Sequence, residues 1–116
     1  MKAVVIPRFG GPEVLEVSDL PERSPGPGEI RIRVAAATVN PTDIGLRSGA
    51  YGVPSGPSPV IPGMELADTV DAIGPGVTDR HVGERVMAIV QPRRPQGGAQ
   101  AAQVVVPAKS LSENWR

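Results

Sequence analysis

The stretch from residue 60 to residue 90, VIPGMELADTVDAIGPGVTDRHVGERVMAIV, constrains the fold more than any other part of the chain. It holds two short runs rich in apolar residues, Leu66 to Ile73 and Arg85 to Val90, and the connector between them begins with Gly74-Pro75-Gly76. Glycine and proline supply the backbone angles that tight reversals need. Two short β-rich runs joined by such a turn predict paired strands rather than a helix.

A second clear strand is predicted over residues 29–34, EIRIRV, where apolar and charged side chains alternate. Alternation with a period of two places Ile30, Ile32 and Val34 towards the core. Arg31 and Arg33 should face water. Further short strands are predicted at Lys2 to Ile6, Val14 to Val17 and Gln103 to Val106. Short strands at this spacing are typical of an all-β sandwich or barrel.

A short helix is predicted to start at Asn40. Asparagine is a favoured N-cap residue, and Pro41 suits the first helical position because its fixed φ angle matches the helix. Asp43 should complete the capping arrangement or pair with Arg47 one turn later. The helix has room for only two turns before Gly49.

Composition limits the class of protein. Twelve basic residues balance twelve acidic ones, so nothing in the charge favours nucleic acid or an anionic membrane. The absence of cysteine excludes disulfides and thiolate metal sites and fits a reducing cytoplasm. At 116 residues the chain suits one domain, residues 1–116, and with only three aromatics its core should consist of Val, Ile, Leu and Ala.

Residues 63–68, GMELAD, with Gly74 and residues 83–86, GERV, resemble the medium-chain dehydrogenase/reductase superfamily in its zinc-free quinone oxidoreductase branch. Zinc-dependent members carry Gly-His-Glu-x-x-Gly, a further glycine six residues later, and then Gly-Asp-Arg-Val. Met64 stands where they have the zinc-binding histidine, and Asp68 stands where they have a glycine. The resemblance spans almost the whole chain. It implies the N-terminal GroES-like catalytic domain: a mainly β, partly open barrel with one or two short helices.

The resemblance also implies a site without metal. Asn40 stands where zinc-dependent members have a cysteine ligand, so with Met64 two ligand positions are lost and no catalytic zinc is expected. In zinc-free quinone and enoyl reductases that asparagine lies beside the nicotinamide or the substrate carbonyl as a neutral donor. A simple helix cap is the alternative for Asn40.

Tyr51 matches a family tyrosine that donates a proton to the substrate in enoyl reductases and lines the cofactor cleft in quinone reductases. A phenol can also donate a hydrogen bond to a developing oxyanion. The alternative is a loop aromatic packed on the barrel. Quinone reductases often have a second tyrosine in the short helix, where this chain has Gly45.

Three further residues are expected to line the substrate cleft: Asp43, Arg47 and Glu65. By resemblance Glu65 lies next to the empty metal position. We expect its carboxylate to pair with a buried arginine or to accept backbone hydrogen bonds.

Cofactor binding is expected to need a second domain. Residues 1–116 contain no Gly-x-Gly-x-x-Gly turn and no predicted β-α-β unit. The resemblance implies NADPH held by a separate dinucleotide-binding Rossmann domain, and reduction of a quinone or enone in the cytoplasm. An apolar cleft wall left exposed here would favour homo-oligomers. The alternatives are a stand-alone GroES-like module that binds a small molecule or protein without redox chemistry and, with less support, a co-chaperonin-like protein.

Overall fold

The computed structural model describes residues 1–52 and 60–113. The elements in this part of the chain are β1 (Lys2–Val5), β2 (Glu16–Asp19), β3 (Glu29–Ala37), α1 (Pro41–Ser48), β4 (Glu65–Ile73), β5 (Arg85–Ile89), β6 (Gln103–Pro107) and β7 (Leu111–Glu113). Two 3-10 helices span Pro12–Val14 and Ala108–Ser110. The predicted mainly β fold with a short helix is confirmed. Over the described ranges, no helix has the length and apolar character needed to cross a membrane.

The strands form two antiparallel sheets that do not close into a barrel. The larger sheet has the order β6-β3-β4-β5-β7, and the smaller one pairs β1 with β2. The predicted pair of strands in residues 60–90 is β4 with β5, in which Leu66 lies opposite Ala88. A bridge between Ala3 and Ala101 joins β1 to the segment that leads into β6.

The first hairpin forms, but its second strand starts later than predicted. Pro12 occupies the first position of the 3-10 helix Pro12–Val14, where its fixed φ angle favours a helical turn. Val14 is therefore buried in a turn and not in a strand. The returning strand begins at Glu16 and pairs with β1.

The core is aliphatic, as the composition predicts. Its largest fully buried side chains are branched aliphatics: Ile30, Ile32, Leu46, Ile61, Val70, Val86 and Val106. Phe9 and Tyr51 are each 44% exposed, so neither is a core residue. Burial of β-branched side chains on paired strands is the main source of stability in such a fold.

The two arginines of β3 behave differently. Arg33 is exposed as predicted, with 66% of its side chain accessible. The prediction for Arg31 is wrong, because its Nε donates to Asp71 Oδ1 at 2.8 Å and only 19% of its side chain is accessible. Asp71 lies on the neighbouring strand β4 and supplies a carboxylate that strand alternation in β3 alone cannot reveal.

The chain just before β4 is held by a short backbone ladder. Gly98 N donates to Ile61 O at 2.8 Å, and the next two backbone N–H groups donate to Gly63 O and Pro62 O, each at 3.0 Å. Gly98 is buried and packs directly on these carbonyl groups. The ladder fixes the position from which residues 64 and 65 enter the site described next.

Candidate active site

Asp43 ties the start of α1 to the turn before β4. Its Oδ2 accepts from the backbone N of Asn40 at 2.8 Å, and its Oδ1 accepts from the backbone N of Gly63 at 2.9 Å. Asn40 and Asp43 thus form a capping box, as predicted. The side chain of Asp43 is buried and both oxygens are used by backbone groups, which makes it a structural residue beneath the site.

Arg47 does not pair with Asp43, so that alternative is wrong. Its Nε donates to Gly10 O at 3.2 Å, and the Gly10 backbone N donates back to Arg47 O at 2.9 Å. Because both Asp43 oxygens already accept backbone N–H groups, the guanidinium finds its partner in the loop that follows β1.

Asn40 and Glu65 come together with Thr38. Asn40 Nδ2 lies 2.9 Å from Thr38 Oγ1 and 3.0 Å from Glu65 Oε1, and Thr38 Oγ1 donates to the same Glu65 oxygen at 3.1 Å. Glu65 was expected to pair with a buried arginine or to accept backbone hydrogen bonds, and the structure differs from both. Its exposed carboxylate accepts from two side chains, the Asn40 amide and the Thr38 hydroxyl. We call these three residues the Asn40 cluster.

Tyr51 and Met64 line an open cleft of about 280 Å³. The lining residues are Thr42, Leu46, Tyr51, Met64, Gln91, Pro92 and Arg93. The tyrosine ring packs against the bare backbone of Gly45, where an added Cβ would lie 2.6 Å from two ring carbons. A second tyrosine at position 45 would therefore have no room in this arrangement.

The two positions that hold zinc ligands in related enzymes do not fit that metal here. They present the carboxamide of Asn40 and the thioether of Met64, and the Met64 sulfur accepts a hydrogen bond from Thr42 Oγ1 at 2.9 Å. Zinc in proteins prefers thiolate, imidazole and carboxylate ligands. In the parts of the chain that the structure describes, no group of three His, Cys, Asp or Glu side chains could hold a metal ion.

The site therefore has two parts, joined by residues 64 and 65 where the chain enters β4. The Asn40 cluster lies at Glu65, and the Tyr51 cleft lies at Met64. Several of its residues were missed from the sequence, among them Thr38 and Thr42. Thr42 lies between Asn40 and Asp43, two residues that the sequence had already singled out, and could have been found there. Thr38 carried no signal because the predicted strand ended before it.

Comparisons with known proteins agree with this architecture. Residues 26–113 match the family model described as the alcohol dehydrogenase GroES-like domain. The chain is 38% identical over 110 residues to a 2-haloacrylate reductase of Burkholderia sp., covering 94% of this chain and 32% of that protein. It is 44% identical over 85 residues to a quinone oxidoreductase of Pseudomonas aeruginosa, covering 73% of this chain and 26% of that protein.

Two solved structures show the same fold. A quinone oxidoreductase of Pseudomonas syringae superposes with a TM-score of 0.85 at 35% identity, covering 98% of this chain and 33% of that one. The Escherichia coli quinone oxidoreductase complexed with NADPH superposes with a TM-score of 0.80 at 28% identity, covering 97% and 33%. The chain thus spans about a third or less of the length of each of these proteins. It belongs to the alcohol dehydrogenase GroES-like domain family, within the medium-chain dehydrogenase/reductase superfamily.

Proposed function

We propose that this chain is the substrate-side domain of a zinc-independent, NADPH-dependent reductase of quinones or conjugated carbonyl compounds. The observation that carries the proposal is the Tyr51 phenol on an open cleft beside Met64, a thioether at a position where a metal ligand would be needed. The similarity to quinone oxidoreductases, one of them solved with NADPH, supports the same reaction class. The lack of cysteine supports a cytoplasmic location.

In this proposal the cofactor touches the chain at its nicotinamide end only. The two sheets are antiparallel, and a phosphate cradle needs the glycine-rich turn of a β-α-β unit. NADPH bound through a dinucleotide-binding domain supplies the hydride. Asn40 and Tyr51 are the residues of this chain proposed to face the nicotinamide ring.

Tyr51 is proposed to act on the substrate oxygen. When a hydride adds to a conjugated carbonyl compound, negative charge develops on the carbonyl oxygen, and a positioned phenol can donate a hydrogen bond or a proton to it. Tyr51 is 44% exposed and lies on the cleft wall, which supports a role in contact with a ligand. In this proposal the hydrogen bond from the phenol stabilises the negative charge on the substrate oxygen, which a zinc ion would stabilise in a metal-dependent enzyme.

Tyr51→Phe tests this role in the chain fused to a dinucleotide-binding domain of the superfamily. We expect kcat for a small enone to fall about 100-fold with a modest change in KM, because general acid catalysis contributes on that order. The phenylalanine ring keeps the packing on Gly45, and thermal unfolding of the variant serves as the control for folding. An unchanged kcat for both an enone and a quinone would contradict the role of Tyr51. Ligand binding without any NADPH oxidation would support a binding module instead.

Self-association stays a prediction, now with a defined surface. A groove of about 330 Å³ runs along β3, β4 and β5. It is lined by Thr38 and Glu65 of the Asn40 cluster and by seven apolar residues: Ala36, Ala37, Leu66, Ala67, Met87, Ala88 and Ile89. Ile89 is 70% exposed, and exposed apolar patches of this kind favour association. We expect sedimentation velocity to show dimers that Ile89→Lys dissociates; a monomer at high concentration would contradict this.

A further inference from the structure

The geometry of the Asn40 cluster decides whether the nitrogen or the oxygen of the Asn40 carboxamide is left to contact a ligand. Thr38 Oγ1, Asn40 Nδ2 and Glu65 Oε1 form a nearly equilateral triangle, with sides of 2.9, 3.0 and 3.1 Å. Both acceptors therefore lie on one side of the amide nitrogen.

The chemistry of the neighbours leaves no freedom to exchange the amide nitrogen and oxygen. A carboxylate oxygen only accepts, so the Asn40 atom that faces Glu65 has to be the nitrogen. Thr38 donates its single hydroxyl proton to Glu65. Its oxygen can therefore only accept a hydrogen bond from Asn40. A flipped amide would place its oxygen against a carboxylate oxygen and lose the hydrogen bond to Glu65. The single proton of the Thr38 hydroxyl could then satisfy only one of the two acceptors. The orientation thus follows from the partners.

We propose that Glu65 is a positioning residue that holds Asn40 with its nitrogen towards β4, so that Asn40 meets a ligand as a hydrogen-bond acceptor. This reverses the donor role expected from the sequence, because the amide nitrogen is engaged by Glu65 and Thr38. A carbonyl oxygen has two lone pairs, so the capping box at α1 leaves at least one available.

The ligand group that fits is an N–H or O–H donor. The assignment of this ligand rests on the proposed function, in which Asn40 faces the cofactor and the substrate. Two molecules of that reaction carry the required chemistry: the primary carboxamide of nicotinamide and the phenolic hydroxyl of a hydroquinone product. The carbonyl oxygens of a quinone cannot bind Asn40 in this orientation, because two acceptors would face each other.

The orientation can be tested on this chain without any cofactor, by nuclear magnetic resonance of the side-chain amide groups. The chain has two asparagines, so Asn40→Ser identifies the Asn40 signal. We expect the Asn40 amide protons to exchange with water about ten-fold faster in Glu65→Ala than in the wild-type chain, since a hydrogen bond to a charged group is lost. Exposed Glu22 provides the matched control, Glu22→Ala, which should change nothing.

Glu65→Gln adds a variant of equal size. Its side-chain amide can still accept from Asn40 but carries no charge, so we expect an intermediate exchange rate. Equal exchange rates in the wild-type chain, Glu65→Gln and Glu65→Ala would overturn the positioning role. An Asn40 signal that responds to Glu22→Ala as strongly as to Glu65→Ala would also overturn it.

The acceptor role is tested with two matched pairs of probes. Nicotinamide and hydroquinone should shift the Asn40 signal, whereas methyl nicotinate and 1,4-dimethoxybenzene, which lack the N–H or O–H group, should bind at least about ten-fold more weakly. Equal binding within both pairs, or no shift with any probe, overturns the acceptor role. A missing NADPH-linked turnover in the fused protein would defeat the proposed function while leaving the amide exchange result intact.

Discussion

Asp43→Ala should lower the free energy of unfolding by about 3 kcal/mol, one of the two largest effects that we expect from a single substitution in this chain. The alanine removes the acceptor of two backbone N–H groups, those of Asn40 and Gly63. Asp43 is only 8% exposed, so water cannot fully replace the carboxylate. Leaving a buried donor without a partner costs about 1 to 3 kcal/mol for each group. Urea denaturation followed by circular dichroism measures the loss.

Asp79→Ala is the matched control for this experiment. Asp79 is exposed in the connector between β4 and β5, and we expect its replacement to change stability by less than about 0.5 kcal/mol. Asp43→Asn should fall between the two, because it keeps one acceptor oxygen and presents an N–H group to the other donor. If Asp43→Ala unfolds with the wild-type midpoint, the link from α1 to β4 is not a stabilising contact.

Gly98→Ala should be comparably destabilising, by about 3 kcal/mol, because the added methyl group meets only backbone. A Cβ there would lie 2.6 Å from Pro62 O and 2.7 Å from Ile61 O, and it would overlap Gly63 O. Relief requires moving the ladder in which Gly98 N donates to Ile61 O at 2.8 Å. Since that ladder leads directly into residues 64 and 65, the Asn40 cluster should be displaced as well.

Gly76→Ala separates this steric effect from the ordinary cost of replacing glycine. Gly76 has φ 82°, and a Cβ there would meet no atom within 4 Å, so the substitution should cost about 1 kcal/mol from backbone strain alone. Denaturation curves of both variants, recorded side by side, give the difference. Equal losses for Gly98→Ala and Gly76→Ala would show that residues 61–63 are not packed against Gly98 as described.

Much of the fold could be predicted because its determinants are local. The β4–β5 pair follows from two apolar runs and a Gly-Pro-Gly turn, and α1 follows from an asparagine cap with proline after it. The start of β2 could not be placed in the same way, because Pro12 favours a 3-10 turn that competes with the strand over Val14. Arg31 was misjudged since its partner, Asp71, lies 40 residues away on another strand.

Individual residues of the candidate site could be predicted from the sequence, but the contacts between them could not. Asn40, Tyr51 and Glu65 were identified by resemblance, yet the Asn40–Glu65 hydrogen bond joins residues 25 positions apart. It also depends on β3 continuing to Ala37, past the alternating pattern and through three alanines that carry no periodic signal. Thr38 follows directly after that extension, so neither its place in the cluster nor the amide orientation could be read from the pattern.

In our proposal, neutral side chains stand at positions where related enzymes hold a metal, and this changes how such a site can work. In place of a cation, the described residues offer a phenol on the cleft wall and a carboxamide held by a carboxylate. The phenol donates and the carboxamide accepts in our account, so the two groups would hold different parts of a bound pair of reactants. This division of roles is the reason to test the residues with different probes.

The measurement that tests the account most directly is NADPH oxidation with a small quinone and a small enone, for this chain alone and for the chain fused to a dinucleotide-binding domain. We predict no oxidation by the chain alone and turnover by the fused protein. Loss of NADPH binding on removing the added domain would serve as the control. A fused protein that binds NADPH but reduces neither compound would contradict the account, as would turnover by the chain alone.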